Sequence, residues 1–208
     1  GLYKGLKPVL WSVVERTALA EAEVEYKEHK SVTVWVKFPV VKASHSLLEG
    51  ASVVIWTTTP WTLPSNRGIA FGAEMDYALY EVKEVLEGSK AKAGDKIILA
   101  KALSSAVQKD TKIGAWEEIA QFKGSDFARS ICKHPLHKQG YDFDVPMLAG
   151  EFVTEDAGTG FVHIAPGHGE DDYNLGMENG LEVTDNIADD GTFRAHVPLF
   201  AGLETYTQ

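Results

Sequence analysis

The chain has 208 residues, 44% of them hydrophobic, and its 20 basic and 30 acidic side chains give a formal net charge of −10. That apolar content excludes a disordered linker, and the acidic balance points away from a domain that grips duplex nucleic acid through its phosphates. A single cysteine, Cys132, permits no intrachain disulfide and fits a reducing, cytoplasmic setting, while no apolar run reaches membrane-span length and the N-terminus lacks the order of a signal peptide.

In chain order, residues 17–30 (TALAEAEVEYKEHK) carry alanines that favour helix and a later alternation that favours strand. Residues 31–41 (SVTVWVKFPVV) alternate and predict a strand, as do residues 52–58 (SVVIWTT), 77–82 (YALYEV), 95–100 (DKIILA), 151–154 (EFVT) and 160–165 (GFVHIA). Helices are predicted over residues 101–110 (KALSSAVQKD) and over residues 125–132 (SDFARSIC), which could start at a Ser or Asp cap. A third covers residues 169–180 (GEDDYNLGMENG), where acids lead and Gly180 stops the helix. The most basic patch, ARSICKHPLHKQG, gathers Arg129, Lys133, His134, His137 and Lys138 and reads as a solvated surface loop. Many strands with few connecting helices predict an α+β fold. Its core is β-barrel-like, closed or nearly so, built of short strands and decorated with helices, rather than a doubly wound parallel sheet.

Two stretches carry candidate chemistry. In VVIWTTTPWTLPSN, residues 53–66, a strand runs into Thr57, Thr58 and Thr59, and Pro60 holds Thr59 extended. The two-residue period of a strand then sends Thr57 and Thr59 to one side, where hydroxyls can hold a water or an ester oxygen without carrying charge. The residue types alone also allow a plain strand end. In EDAGTGFVHIAPGHGEDDYNLG, residues 155–176, a Gly158-Thr-Gly160 turn precedes a strand with His163, then a turn with His168, then Asp171 and Asp172 at a helix start. The bland reading makes the acids helix-dipole partners and the glycines a tight turn. Two histidines and acids also suggest a metal-dependent hydrolase, but no familiar ligand spacing such as HExxH occurs, and Cys132 near His134 and His137 lacks a nucleophile signature.

Taken together, the two stretches resemble the editing (CP1) domain inserted in class I aminoacyl-tRNA synthetases for isoleucine, valine and leucine. TTTPWTLPSN is similar to the isoleucine form: its relatives usually carry arginine where Thr59 stands, an acid where Trp61 stands, and Lys or Met where His163 stands. KGLKPVLWSVVERTALAEAEVEY and DFDVPMLAG extend the resemblance over essentially the whole chain. It implies a single domain over residues 1–208, excised from a larger synthetase, with residues 1–45 including linker strands toward the parent catalytic domain and the two ends close together.

The activity that the resemblance implies is hydrolysis of valine esterified to tRNA(Ile), and of valyl-adenylate, because a pocket that activates isoleucine cannot reject valine strongly when one methylene is worth only ~1–3 kcal/mol. By the resemblance, Asp172 grips the substrate ammonium, His163 limits side-chain size, and Thr57, Thr58 and Thr59 orient water and ester. Thr62 and Trp61 are pocket walls or a stacking surface, Gly158 and Gly160 admit the terminal adenosine, and His168 supports the turn below Asp172. The expected partners are the tRNA(Ile) 3′ end, valyl-adenylate and the rest of the synthetase, with a monomeric chain and no membrane. ATP and magnesium belong to the parent enzyme, and no cofactor or metal is expected here: Ser12 and Glu15 stand near where some relatives carry a cysteine pair. The other class of reading is a non-catalytic module that binds the tRNA acceptor end.

Overall fold

The computed structural model describes residues 2, 5, 7–28 and 30–205. Among these, the chain forms β1 (Trp11–Ser12), β2 (Thr17–Ala18), β3 (Val34–Lys42), β4 (Ser52–Thr57), β5 (Gly68–Phe71), β6 (Asp76–Val85), β7 (Lys96–Ala100), α1 (Ser104–Asp110), β8 (Ile113–Lys123), β9 (Ile131–Lys133), β10 (Asp144–Ala149), β11 (Phe161–Ile164) and α2 (Glu170–Glu178). β1 and β2 make a separate antiparallel ribbon. The other nine strands form one sheet in the order β11-β5-β10-β9-β3-β4-β7-β6-β8, antiparallel except for the β5/β10 and β4/β7 pairs.

Strand alternation gives the sheet two faces. Val53 and Ile55 of β4, Ile69 and Phe71 of β5, Tyr77 and Leu79 of β6, Val145 and Met147 of β10, and Phe161 of β11 meet in one buried cluster. Strands from both ends of the order share that cluster, so the sheet curls around it. On the outer face, Val54, Ala78, Tyr80, Ile97 and Leu99 pack under Val107 of α1, and Ala70 and Ile164 pack under Leu175 of α2. The curl brings β11 against β4, and the Ala100 N–H reaches the Thr159 carbonyl at 2.8 Å.

The barrel is therefore curled but not closed. Its end strands β11 and β8 are not neighbours in the strand order.

Some of the expected elements are corrected. Residues 151–154 form a turn: the Gly150 N–H bonds the Phe71 carbonyl at 2.9 Å, pairing ends, and the strand lies upstream as β10. Residues 125–132 hold a short 3-10 turn, Gly124–Phe127, and then β9. Arg129 takes φ of 63°, which no right-handed helix accommodates, and Cys132 exchanges helix for pairing with β3 and β10. The basic patch is accordingly no solvated loop: Ser130, Cys132 and His134 are buried, and Lys133 pairs with Asp144 at 2.6 Å. Residues 17–30 carry β2 and a 3-10 turn, Glu21–Glu23, without a longer element among the described residues. His29 lies outside the described residues, as do Lys4 and Leu6 of the opening motif and residues 206–208 of the chain's end. Val13 and Thr205 both flank Gly191, so segments near the two ends approach each other.

Phe127 plugs the curled sheet, with ring centroids 5.0 Å from Tyr77, 5.3 Å from Phe161 and 5.9 Å from Phe71, all edge-on. It is 1% exposed. Phe127→Ala is expected to cost ~3–5 kcal/mol in urea unfolding, the range for a buried aromatic truncated in a packed core. Ile119→Ala, on the exposed side of β8, should stay within about 0.5 kcal/mol.

Candidate functional site

β4 delivers Thr57 at its buried end, and Thr58 and Thr59 emerge exposed. Thr57 Oγ1 accepts the Thr59 N–H at 3.1 Å and stands 3.3 Å from Thr59 Oγ1, so the two hydroxyls do share a side. The chain then winds into a 3-10 turn, Pro60–Ser65. Proline suits its first position because the missing N–H would be unpaired there. Thr62 donates both its N–H and its Oγ1 to the Thr59 carbonyl, at 3.0 and 2.9 Å.

β11 brings His163 to this turn from 101 residues away: Thr62 Oγ1 lies 2.9 Å from His163 Nε2. Asn66 Nδ2 donates to the Gly68 carbonyl at 2.8 Å and lies 3.4 Å from His163 Nδ1. Since Nδ1 faces a donor and the Thr62 proton is directed at the Thr59 carbonyl, His163 carries its proton on Nε2 and donates to Thr62. Burial, with His168 and His134 nearby, holds the His163 imidazole down at about 4, so it is neutral at pH 7. It is a fixed, uncharged wall.

α2 starts with Glu170, Asp171 and Asp172, acids that suit the positive end of a helix. Asp172 turns back to accept the Ala165 N–H through Oδ2 at 2.7 Å, which ties the helix to the end of β11. Burial, with Asp171 adding to it, raises the Asp172 carboxyl to about 6 although the Ala165 N–H lowers it. Among the described residues no Lys or Arg pairs with Asp172. A half-buried carboxylate with an anchored oxygen and no cation is suited to an incoming ammonium group.

His168 lies 3.0 Å from Ser65 Oγ, and its ring stands edge-on to Trp61 at 5.1 Å. Burial depresses it to about 4 as well. Trp61 and His168 also line a cleft of about 490 Å³ against Trp11, Asn186 and Arg194. Gly158 and Gly160 take φ of 82° and 80°. A Cβ on Gly160 would come within 2.4 Å of Ala100 Cβ, and its carbonyl accepts the Tyr77 hydroxyl at 2.7 Å, so the close approach at Gly160 is to the sheet itself. At Gly158 the nearest neighbour is Trp56, at 3.6 Å.

The structure thus joins Thr57, Thr59, Thr62 and His163 in one hydrogen-bonded set and sets the Trp61 ring edge-on to His168, while Asp172 is tied to Ala165 rather than to either group. Sequence reading assigned no role to Ser65, Asn66, His134 or Asn186, which hold these groups in place. Asn66 lies inside the quoted motif, and its value as a buried amide was the available signal. No group of three or more His, Cys, Asp or Glu side chains placed to hold a metal occurs among the described residues. Cys132 is buried and its thiol is pushed up to about 12, away from nucleophilic use.

The raised Asp172 carboxyl has a consequence for stability. The folded state binds this proton more tightly than the unfolded state, so Asp172 lowers relative stability as pH rises from about 4 to about 6. Asp172→Asn should melt with the parent chain near pH 4. The variant should gain on the parent through pH 6 and hold a constant advantage above pH 7, on the order of 1–2 kcal/mol after allowance for partial exposure. Melting temperatures at pH 4 to 8 check this; a pH-independent gap would refute it.

No protein-family model matches the chain. In curated proteins, the isoleucine–tRNA ligase of Pelagibacter ubique is 47% identical over 205 residues, covering 99% of this chain and 22% of that protein. Those of Caulobacter vibrioides and Syntrophomonas wolfei are 48% and 46% identical, covering 98% and 97% of this chain and 21% and 20% of theirs. The fold is similar to the solved structure of GlLeuRS-CP1, with a TM-score of 0.53 and 17% identity over 73% of this chain and 66% of that one. It is likewise similar to the P. knowlesi cytosolic leucyl-tRNA synthetase editing domain, with a TM-score of 0.53 and 11% identity over 68% of this chain and 60% of that one. Spanning 20–22% of the length of these relatives and matched along nearly all of its own, this chain belongs to the isoleucine-tRNA ligase family as an internal segment with the editing-domain (CP1) fold.

Proposed function

We propose that this domain is the hydrolytic proofreading unit of an isoleucine-tRNA ligase, removing valine from mischarged tRNA(Ile) and from valyl-adenylate. The observations that carry the reading are the neutral His163 of β11 held against Thr62, and the half-buried carboxylate of Asp172 tied to Ala165 just past the end of the same strand, with no Lys or Arg paired to it among the described residues. Asp172 accepts the substrate's α-ammonium and fixes where the ester lies. His163 and Thr62 bound the side-chain pocket, and because both are tied by hydrogen bonds the wall does not yield to an extra methylene. Overpacking of that kind costs ~1–3 kcal/mol, which excludes isoleucine while valine enters.

The exposed Thr58 and Thr59 hydroxyls place the attacking water, with the buried Thr57 holding Thr59 in position. Water adds to the ester carbonyl, nearby hydroxyls and amides hold the oxyanion, and collapse releases valine and the tRNA ribose hydroxyl. A threonine hydroxyl titrates far above neutrality, so the proton from water passes to the neighbouring free ribose hydroxyl of the tRNA as relay rather than to a threonine. The whole ligase would supply most of the tRNA contacts and use ATP and magnesium for aminoacylation in the cytoplasm. Thirty acidic side chains against 20 basic ones leave this domain little phosphate-binding charge of its own.

The test is deacylation of valyl-tRNA(Ile) and isoleucyl-tRNA(Ile) by the chain, with and without chelator. The expected result is loss of the valyl ester alone, indifferent to chelator. Asp172→Ala should lower the rate about 10–100-fold, the worth of a charge-assisted bond to the ammonium. His163→Ala should admit the isoleucyl ester. Binding of the acceptor end without turnover would favour a non-catalytic module, and chelator sensitivity a metal hydrolase.

A further inference from the structure

The six-residue turn Pro60–Ser65 presents Trp61 and Thr62 and contains Pro64. Such 3-10 runs rarely exceed three or four residues, because their hydrogen bonds are poorly aligned. Side chains from elsewhere hold this one. His134 Nε2 lies 3.0 Å from the Leu63 carbonyl, with its Nδ1 taking the Leu136 N–H at 3.1 Å. Asn186 Nδ2 reaches the Pro64 carbonyl at 3.3 Å and Ser65 Oγ at 3.0 Å. Ser65 is fully buried and Asn186 is 7% exposed.

The proton positions follow from the partners. A carbonyl only accepts, so the Asn186 atom facing Pro64 is the amide nitrogen, and its oxygen takes the Nε2 proton of His196 at 3.2 Å. With Asn186 donating into Ser65 Oγ, the Ser65 proton is free to point at His168 Nε2, 3.0 Å away. His168 Nε2 is then the unprotonated nitrogen, and its proton sits on Nδ1. The same histidine stands edge-on to Trp61, and its backbone N–H bonds Ala165, whose own N–H holds Asp172.

We propose that Asn186, 121 residues from Ser65, is a positioning residue of the site: by donating to Ser65 it directs the Ser65 proton, and so sets the tautomer and seat of His168 beneath Trp61. One buried amide thereby links the Pro60–Ser65 turn to His168 in the turn that precedes α2. The specificity arm of this inference rests on the hydrolytic reading; the tautomer arm does not.

Asn186→Asp tests it. A carboxylate cannot donate to Ser65, so the Ser65 proton turns toward residue 186 and His168 Nε2 must donate instead. Imidazole ¹⁵N spectra at pH 7 are expected to show His168 protonated on Nδ1 in the parent chain and on Nε2 in Asn186→Asp. Deacylation preference for the valyl over the isoleucyl ester should fall about tenfold in the variant, with the melting transition still cooperative. An unchanged His168 tautomer overturns the proposal. A switched tautomer with unchanged preference overturns the specificity role. If Asn186→Asp does not fold, Ser65→Ala breaks the same link, and a single Nδ1 tautomer persisting there overturns the proposal. A parent chain that hydrolyses neither ester overturns the hydrolytic reading, while the ring spectra still decide the clamp.

Discussion

The 2.9 Å hydrogen bond between His163 and Thr62 joins β11 to the turn that follows β4, and the placement of these groups depends on it. Both groups are buried, and a buried polar group without a partner costs about 1–3 kcal/mol. Moving the two elements apart would therefore leave the buried His163 Nε2–H without its acceptor. The turn that follows the threonine run is thereby held against β11.

Three histidines, His134, His163 and His168, are buried around this junction and held neutral by burial. Each prefers its uncharged form in the fold, so together they stabilise the domain above their ordinary titration range, and that contribution is lost as pH falls from about 6.5 toward 4. Asp172 acts in the opposite sense over nearly the same window. A carboxylate that lowers stability at neutral pH, with no Lys or Arg paired to it among the described residues, is the departure from optimal packing expected of the ammonium-binding role proposed for Asp172.

The curled, open sheet explains why such groups come together. Alternation in β4 and β11 buries one set of side chains in the common cluster, and the same alternation carries Thr57 and His163 inward beyond its apolar part. Outside, α2 packs through Leu175 onto Ala70 and Ile164, and the helix start is tied to the end of β11 by the bond from the Ala165 N–H to Asp172. The Thr62–His163 pair thus lies at the polar end of the core.

The sequence by itself determined β3, β4, β6, β7, β11, α1 and α2, because two-residue or helical periodicity is a local property that burial on one face imposes. Periodicity also placed Thr57 and Thr59 on one side, and helix-end chemistry put Asp172 in a first turn. Only the tertiary structure decided β8, β9 and β10, where Gly114, Pro146, charged residues and bulges blur the alternation, and β9 in particular exists through its neighbours. It alone made His134 a buried clamp rather than a surface charge, and it alone recruited Ser65, Asn66 and Asn186. Their partners lie up to 122 residues away in sequence, and a hydrogen bond depends on where two groups meet in space, which no local pattern of residues records.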